Sequence, residues 1–178
     1  MFTNGTSVGI PGLNTADEEE LSRIYSAKTL YLNKSYRSTV QINDFAVKLL
    51  PKEKQYEVFD RQGEDVELLS GSTNDLCSRI KEESESKKTI CVITKTSDEA
   101  REFYNTLKAH IPALRLCDNK SCELSGAPVV MPLSLTKGLE FDTVIIADKN
   151  KGFTASGCEN YLYLASTRAL HKLVVFEI

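Results

Sequence analysis

Three short stretches carry residue types that suit phosphate and nucleic-acid chemistry. In Leu32-Asn33-Lys34-Ser35-Tyr36-Arg37-Ser38, a strand candidate runs into a helix expected to start at Ser38. A guanidinium beside a helix N-terminus suits a phosphate, because Arg37 and the first free N–H groups can face one anion. Tyr36 could stack on a base; the bland alternative puts Tyr36 in the core and pairs Arg37 with a surface carboxylate. The second stretch is Ser134-Leu135-Thr136-Lys137-Gly138-Leu139-Glu140-Phe141-Asp142. Thr136, Lys137 and Gly138 offer a hydroxyl, a cation and bare backbone N–H groups in succession, which suits a sugar-phosphate backbone or a nucleotide. Glu140 could accept from a ribose hydroxyl. The alternative is a plain connection in which Gly138 supplies a positive φ and Asp142 a turn. The third stretch, Glu159 to Leu170, reads as a helix with Tyr161, Ala165 and Arg168 close to one face. A buried arginine there needs an anion, since an unpaired buried charge is very costly. Otherwise Arg168 caps the helix end or pairs with Glu159.

The elements that must hold these residues alternate along the chain. Leu30-Tyr31-Leu32 is a strand candidate. Ser38 with Gln41 has capping-box spacing, and Ile42, Phe45, Ala46 and Leu49 form one apolar helical stripe that Pro51 ends. Residues 56–69 carry β-like segments around the turn Arg61-Gln62-Gly63. A helix is expected from about Thr73 to Glu83, burying Leu76, Cys77 and Ile80, and another after Thr96, which pairs with Glu99 as a second capping box. Thr89 to Thr94, Val129 to Met131, Thr143 to Ala147 and Leu173 to Phe176 are apolar without alternation, as strands covered on both faces should be. Such strands between amphipathic helices predict an α/β fold, a mainly parallel sheet with helices on both faces. In such sheets ligands meet loops at the carboxyl ends of the strands, which is where the three stretches are expected.

Composition narrows the function classes. The 178 residues are 41% hydrophobic and 26% charged, an ordinary globular balance. No apolar run approaches the ~18 residues of a membrane span, and the start lacks signal-peptide order. The net charge of −3 gives no global field toward nucleic acid, so any such contact is local. Five cysteines without a Cys-x-x-Cys pair, and two histidines away from ligand spacing, predict reduced thiols and no metal site. Residues 1–20, with Gly5, Gly9, Pro11, Gly12 and the acidic run 17–20, read as a flexible lead, leaving 21–178 as one domain.

Taken in order, the three stretches resemble motifs IV, V and VI of superfamily 1 DNA helicases of the UvrD/Rep/PcrA group. Ser35-Tyr36-Arg37-Ser38 resembles the first, Thr136 to Asp142 the second and Glu159 to Ala169 the third. The ending Thr167-Arg168-Ala169-Leu170-His171-Lys172-Leu173 is most similar to the helicase IV and HelD-like branch. The resemblance covers about Leu30 to Phe176 and implies the second, C-terminal RecA-like motor domain, cut from a longer cytoplasmic protein. It further implies a partner N-terminal RecA-like domain in the same protein, ATP with Mg²⁺ held by that partner, single-stranded DNA as the track, and no membrane.

By the same resemblance, Arg37 and Arg168 are arginine fingers, an effect worth ~10³–10⁵ in rate in comparable NTPases. Tyr36 stacks on adenine, Gly138 and Glu140 lie on the nucleotide side, and Thr136 and Lys137 meet single-stranded DNA. Two departures bear on function. No Gly-x-x-x-x-Gly-Lys-[Ser/Thr] occurs, so this chain alone is expected not to hydrolyse ATP. Gly138 follows Arg37 by only 101 positions, too few for the inserted subdomain that the family uses on duplex DNA. The expected function is therefore an ATP-dependent helicase or translocase motor domain. The alternative is a HelD-like ATPase that binds and recycles RNA polymerase. A degenerate regulatory module is the third reading, against which stands the retention of both arginines.

Overall fold

The computed structural model describes residues 23–26, 34–35, 37–51, 57–58, 60–85, 88–118 and 126–178. The lead 1–20, the strand candidate Leu30-Tyr31-Leu32 and Tyr36 lie outside them. Strands β1 (Lys34–Ser35) and β2 (Glu57–Val58) pair in parallel as a separate ribbon. The main sheet comprises β3 (Glu67–Ser70), β4 (Ile90–Thr94), β5 (Arg115–Leu116), β6 (Val129–Pro132), β7 (Phe141–Asp148) and β8 (Ala169–Glu177). Its order is β3-β8-β7-β4-β6-β5, and every pairing is parallel. The helices are α1 (Val40–Val47), α2 (Thr73–Ser84), α3 (Ser97–Leu107) and α4 (Glu159–Ser166).

This is the expected three-layer α/β, RecA-like arrangement. Because side chains alternate along a strand, each central strand feeds two cores. Cys91, Ile93, Val144, Ile146, Leu173 and Val175 pack with Ile42, Leu162 and Ala165, residues of α1 and α4. Ile90, Val92, Ile145, Ala147, Val174 and Phe176 pack with Leu76 and Ile80 of α2 and with Ala100, Phe103 and Leu107 of α3. Burial on both faces explains why these strands read as unbroken apolar runs.

Local signals worked unevenly. The Thr96–Glu99 capping box of α3 forms, and Ser72 with Asp75 builds a second one on α2. The Ser38–Gln41 box does not. Thr39 is the N-cap of α1 and makes no side-chain cap bond. Ser38 Oγ instead donates to Ala169 O at 2.6 Å, and Gln41 Oε1 accepts from Gly63 N–H at 2.9 Å. Long-range partners outbid the local ones. The last helix is also shorter than expected: α4 stops at Ser166, and Arg168 stands between it and β8. Cys77, Cys91 and Cys158 are free thiols, but Cys117 is disulfide-bonded, a correction to the expectation of reduced thiols throughout.

Charged groups fasten the rim. The Lys172 ammonium of β8 reaches Glu64 at 2.8 Å, Glu83 at 3.0 Å and Glu67 at 3.4 Å. Burial works against its charge, yet the hydrogen bonds to Glu64 and Glu83 prevail and raise its pKa above the ordinary lysine value. At the other end of the sheet, Lys95 donates to Gly152 O at 2.6 Å, lies 3.3 Å from Cys158 Sγ, and sits 4.8 Å from the Tyr161 ring centre. One ammonium thereby anchors the stretch between β7 and α4. Among the described residues, no helix is long and apolar enough to cross a membrane.

Ile145→Ala, in a fully buried site of the central strand β7, is expected to cost about 2–5 kcal/mol, whereas loss of the α3 cap in Thr96→Ala is expected to cost about 1 kcal/mol. Urea unfolding would check the ranking; equal losses would mean that the sheet core is not the main source of stability.

Candidate functional site: an arginine pair at the amino edge of the sheet

The β7–β8 ladder opens with Phe141 opposite Ala169, and Phe141 N–H donates to Arg168 O at 3.0 Å. That single rung sets Glu140, the residue before β7, beside Arg168, the residue before β8. Ser38 Oγ on Ala169 O brings the Arg37-Ser38 segment to the same place. The three chemistry-bearing stretches therefore gather, but at the amino ends of β7 and β8 rather than at the carboxyl ends. The reason is topological. After β6 the chain crosses back over the sheet through the turn Leu133–Leu135 to start β7, and α4 returns the chain to the start of β8.

Arg37 Nε lies 2.6 Å from Glu140 Oε1, with both side chains partly exposed. Arg168 is only 8% exposed. Its Nε donates to Leu164 O at 3.2 Å, its Nη2 to Thr167 Oγ1 at 3.2 Å, and its Nη1 lies 3.5 Å from Thr136 O. It thus caps the end of α4, as the plain reading allowed, yet no described carboxylate stands within ion-pair distance. Burial lowers its pKa first and the Arg37 charge lowers it next; Glu140 and Tyr163 pull the other way. Two guanidiniums therefore share the field of one carboxylate. Such a site has surplus positive charge and spare N–H donors, the requirements for a polyanion.

The remaining expected residues are divided. Thr136 is buried and its hydroxyl donates to Leu133 O at 2.8 Å, so that hydroxyl points inward. Lys137 is exposed, and it makes no ion pair among the described residues. Gly138 has φ +82°, with open space where a Cβ would stand, so its backbone conformation and not crowding calls for glycine. Asp142 is tied to the neighbouring strand: its Oδ2 accepts from Thr89 N–H at 2.9 Å and Thr89 Oγ1 at 2.8 Å, while His171 Nε2 stands 3.5 Å from Oδ1. The Thr89 backbone bond, chiefly, holds the Asp142 pKa below the usual carboxylate value. Arg61, which the sequence marks only as part of a turn, reaches Arg37 O and the His171 ring. Nothing in its periodicity or spacing could have found it.

Comparison with solved structures shows what the chain is similar to. The chain is similar to the C-terminal domain of a possible DNA helicase from Lactobacillus plantarum WCFS1, with 26% identity, a TM-score of 0.65, and coverage of 81% of this chain and 88% of that one. No protein-family model matches the chain, and no curated protein does.

Two outcomes test the geometry. Glu140→Gln removes the carboxylate that Arg37 holds and is expected to tighten binding of tripolyphosphate about fivefold, the equivalent of about 1 kcal/mol, as read by calorimetric titration of this chain. Unchanged or weaker binding would mean that the carboxylate does not compete for the anion. For Asp142 the folded pKa is depressed, so its stabilisation is present above the unfolded carboxylate value and is lost as pH falls through the folded one. The melting-temperature gap between wild type and Asp142→Asn is expected to be open at neutral pH and to close toward acid; a gap constant with pH would sink the assignment.

Proposed function

We propose that this chain is the second, nucleotide-clamping motor domain of an ATP-dependent helicase or translocase that works on single-stranded DNA in the cytoplasm. The observation that carries the reading is the buried Arg168 guanidinium, with no carboxylate at ion-pair distance among the described residues, close enough to Arg37 to feel its charge. The similarity to the C-terminal domain of a possible DNA helicase supports the coarse part of this reading. The motif order supports the finer part, the UvrD-like assignment.

ATP, with Mg²⁺ bound by a partner domain, would supply the triphosphate whose cleavage drives such a motor. The arginine pair fits a polyphosphate: Arg37 and Arg168 would neutralise charge developing on its terminal group, which is the work of preorganised donors in a partly dry site. In this reading Glu140, now paired with Arg37, would release it to the phosphates and then accept from a sugar hydroxyl. Arg168 is held at the end of α4 by Leu164 O and Thr167 Oγ1. The exposed Lys137 and the open backbone at Gly138 suit a nucleic-acid phosphate, an interaction that reads charge and not base sequence. Because the chain carries no Walker A sequence, turnover requires a domain that does.

The test is steady-state ATPase of the polypeptide that joins this domain to its Walker A partner, with and without single-stranded DNA. Strong stimulation by DNA is expected, together with a loss of about 10³-fold or more in Arg168→Ala. An unaffected Arg168→Ala would remove the finger assignment. Turnover indifferent to DNA would move the reading to the RNA polymerase-binding alternative.

A further inference from the structure

We propose that Arg61 is the positioning residue for Arg37, setting where that guanidinium stands relative to Arg168; the proposal rests on the nucleotide-site reading above. The segment that carries Arg37 enters α1 without a side-chain N-cap, although Asn43 Nδ2 donates back to Ser38 O at 2.9 Å and Thr39 O at 3.0 Å. Thr39, the N-cap, makes no cap bond, and its Oγ1 is buried without a partner. The entry is held from outside: a Cβ at Gly63 would stand 2.4 Å from Thr39 Cγ2, so the end of the 60–63 segment packs directly against the N-cap. Within that segment, Arg61 grips both sides of the Ser38-Thr39 corner. Its carbonyl accepts from Val40 N–H at 2.8 Å, and its Nη1 donates to Arg37 O at 3.3 Å.

The far side of the same guanidinium is braced against the sheet. Arg61 Nη2 lies 3.0 Å from His171 Nδ1 and 3.2 Å from Nε2. His171 occupies the irregular start of β8, where the ladder steps from Phe141–Ala169 to Thr143–Lys172, so β8 carries one residue more than β7 over that interval. A bulge of this kind re-aims side chains at a sheet edge. Behind His171 stands Asp142 at 3.5 Å, itself fixed by Thr89. Arg37 O is thereby referred, through Arg61, to the same strand edge from which Arg168 springs. Ser38 Oγ on Ala169 O is the second reference point. Together these two contacts tie the backbone beside Arg37 to that edge; the Arg37 side chain itself is held by Glu140, and its backbone carbonyl by Arg61.

The Arg61 side chain is exposed, so its truncation leaves the core filled, and its backbone bond to Val40 survives any substitution. The experiment is a double-mutant cycle on ATP turnover in the two-domain polypeptide: Arg61→Ala, Arg37→Ala and both together, with thermal melts of each. Arg61→Ala is expected to lower kcat about 10–100-fold while KM for ATP stays within about twofold, the mark of a misplaced transition-state group. The melting temperature should stay near wild type, and the double variant should be no slower than Arg37→Ala alone. Additive losses in the double variant would overturn the proposal, as would an unchanged kcat in Arg61→Ala or a fall in melting temperature that accounts for the lost activity. If Arg37→Ala itself turns over normally, the nucleotide-site reading fails and takes this proposal with it, an outcome distinct from additivity.

Discussion

The hydrogen bond from Phe141 N–H to Arg168 O is the contact on which the site's geometry depends. It is the first rung between the two longest strands, and it commits the residues just before each strand to one edge. With that rung in place, Glu140 cannot be far from Arg168, and Ser38 finds Ala169 O within reach. Sheet register, not the loops, decides where the charges fall. A slip of one residue would turn every β7 side chain to the opposite core and carry Glu140 away from the arginines.

The charge arrangement at that edge is incomplete by design of the fold. Exposed ion pairs contribute little to stability, so the Arg37–Glu140 pair is easily exchanged for a stronger anion. Arg168 is different, because burial raises the cost of its charge while the only described groups it contacts are neutral oxygens. Contrast Lys172, where carboxylates surround the ammonium and strengthen its charge. Among the described residues, one cation is ringed by carboxylates and fastens the rim, whereas the other has only neutral oxygens for partners.

Much of the fold was legible in the sequence because its determinants are local or periodic. Two-sided burial printed apolar runs at Thr143 to Ala147 and Leu173 to Phe176, and Thr96 with Glu99 announced the start of α3 through a contact spanning three residues. The failures share a cause. Ser38 and Gln41 had the spacing of a capping box, but their side chains went to Ala169 and Gly63, distant in sequence and invisible to a local rule. The end of α4 was overrun because Thr167-Arg168 follows the helical stripe without a glycine or proline to stop it. Within the site, Arg37, Glu140 and Arg168 could be nominated by residue type and motif order. That they meet at the amino edge depends on a crossover path which no short window contains. Arg61 was hidden for the same reason, its partners lying 24 and 110 positions away.

The Lys95 clamp bears on how firmly α4 is held. It grips the chain at Gly152 and at Cys158, just ahead of α4, while the far end of that helix is capped by Arg168 itself. A rod seized at both ends does not hinge in the middle. From Arg168, eight residues of helix lead back to the loop at the opposite edge of the sheet. Where Arg168 stands at one rim and where the 152–158 stretch stands at the other are therefore not independent, because one short strut joins them.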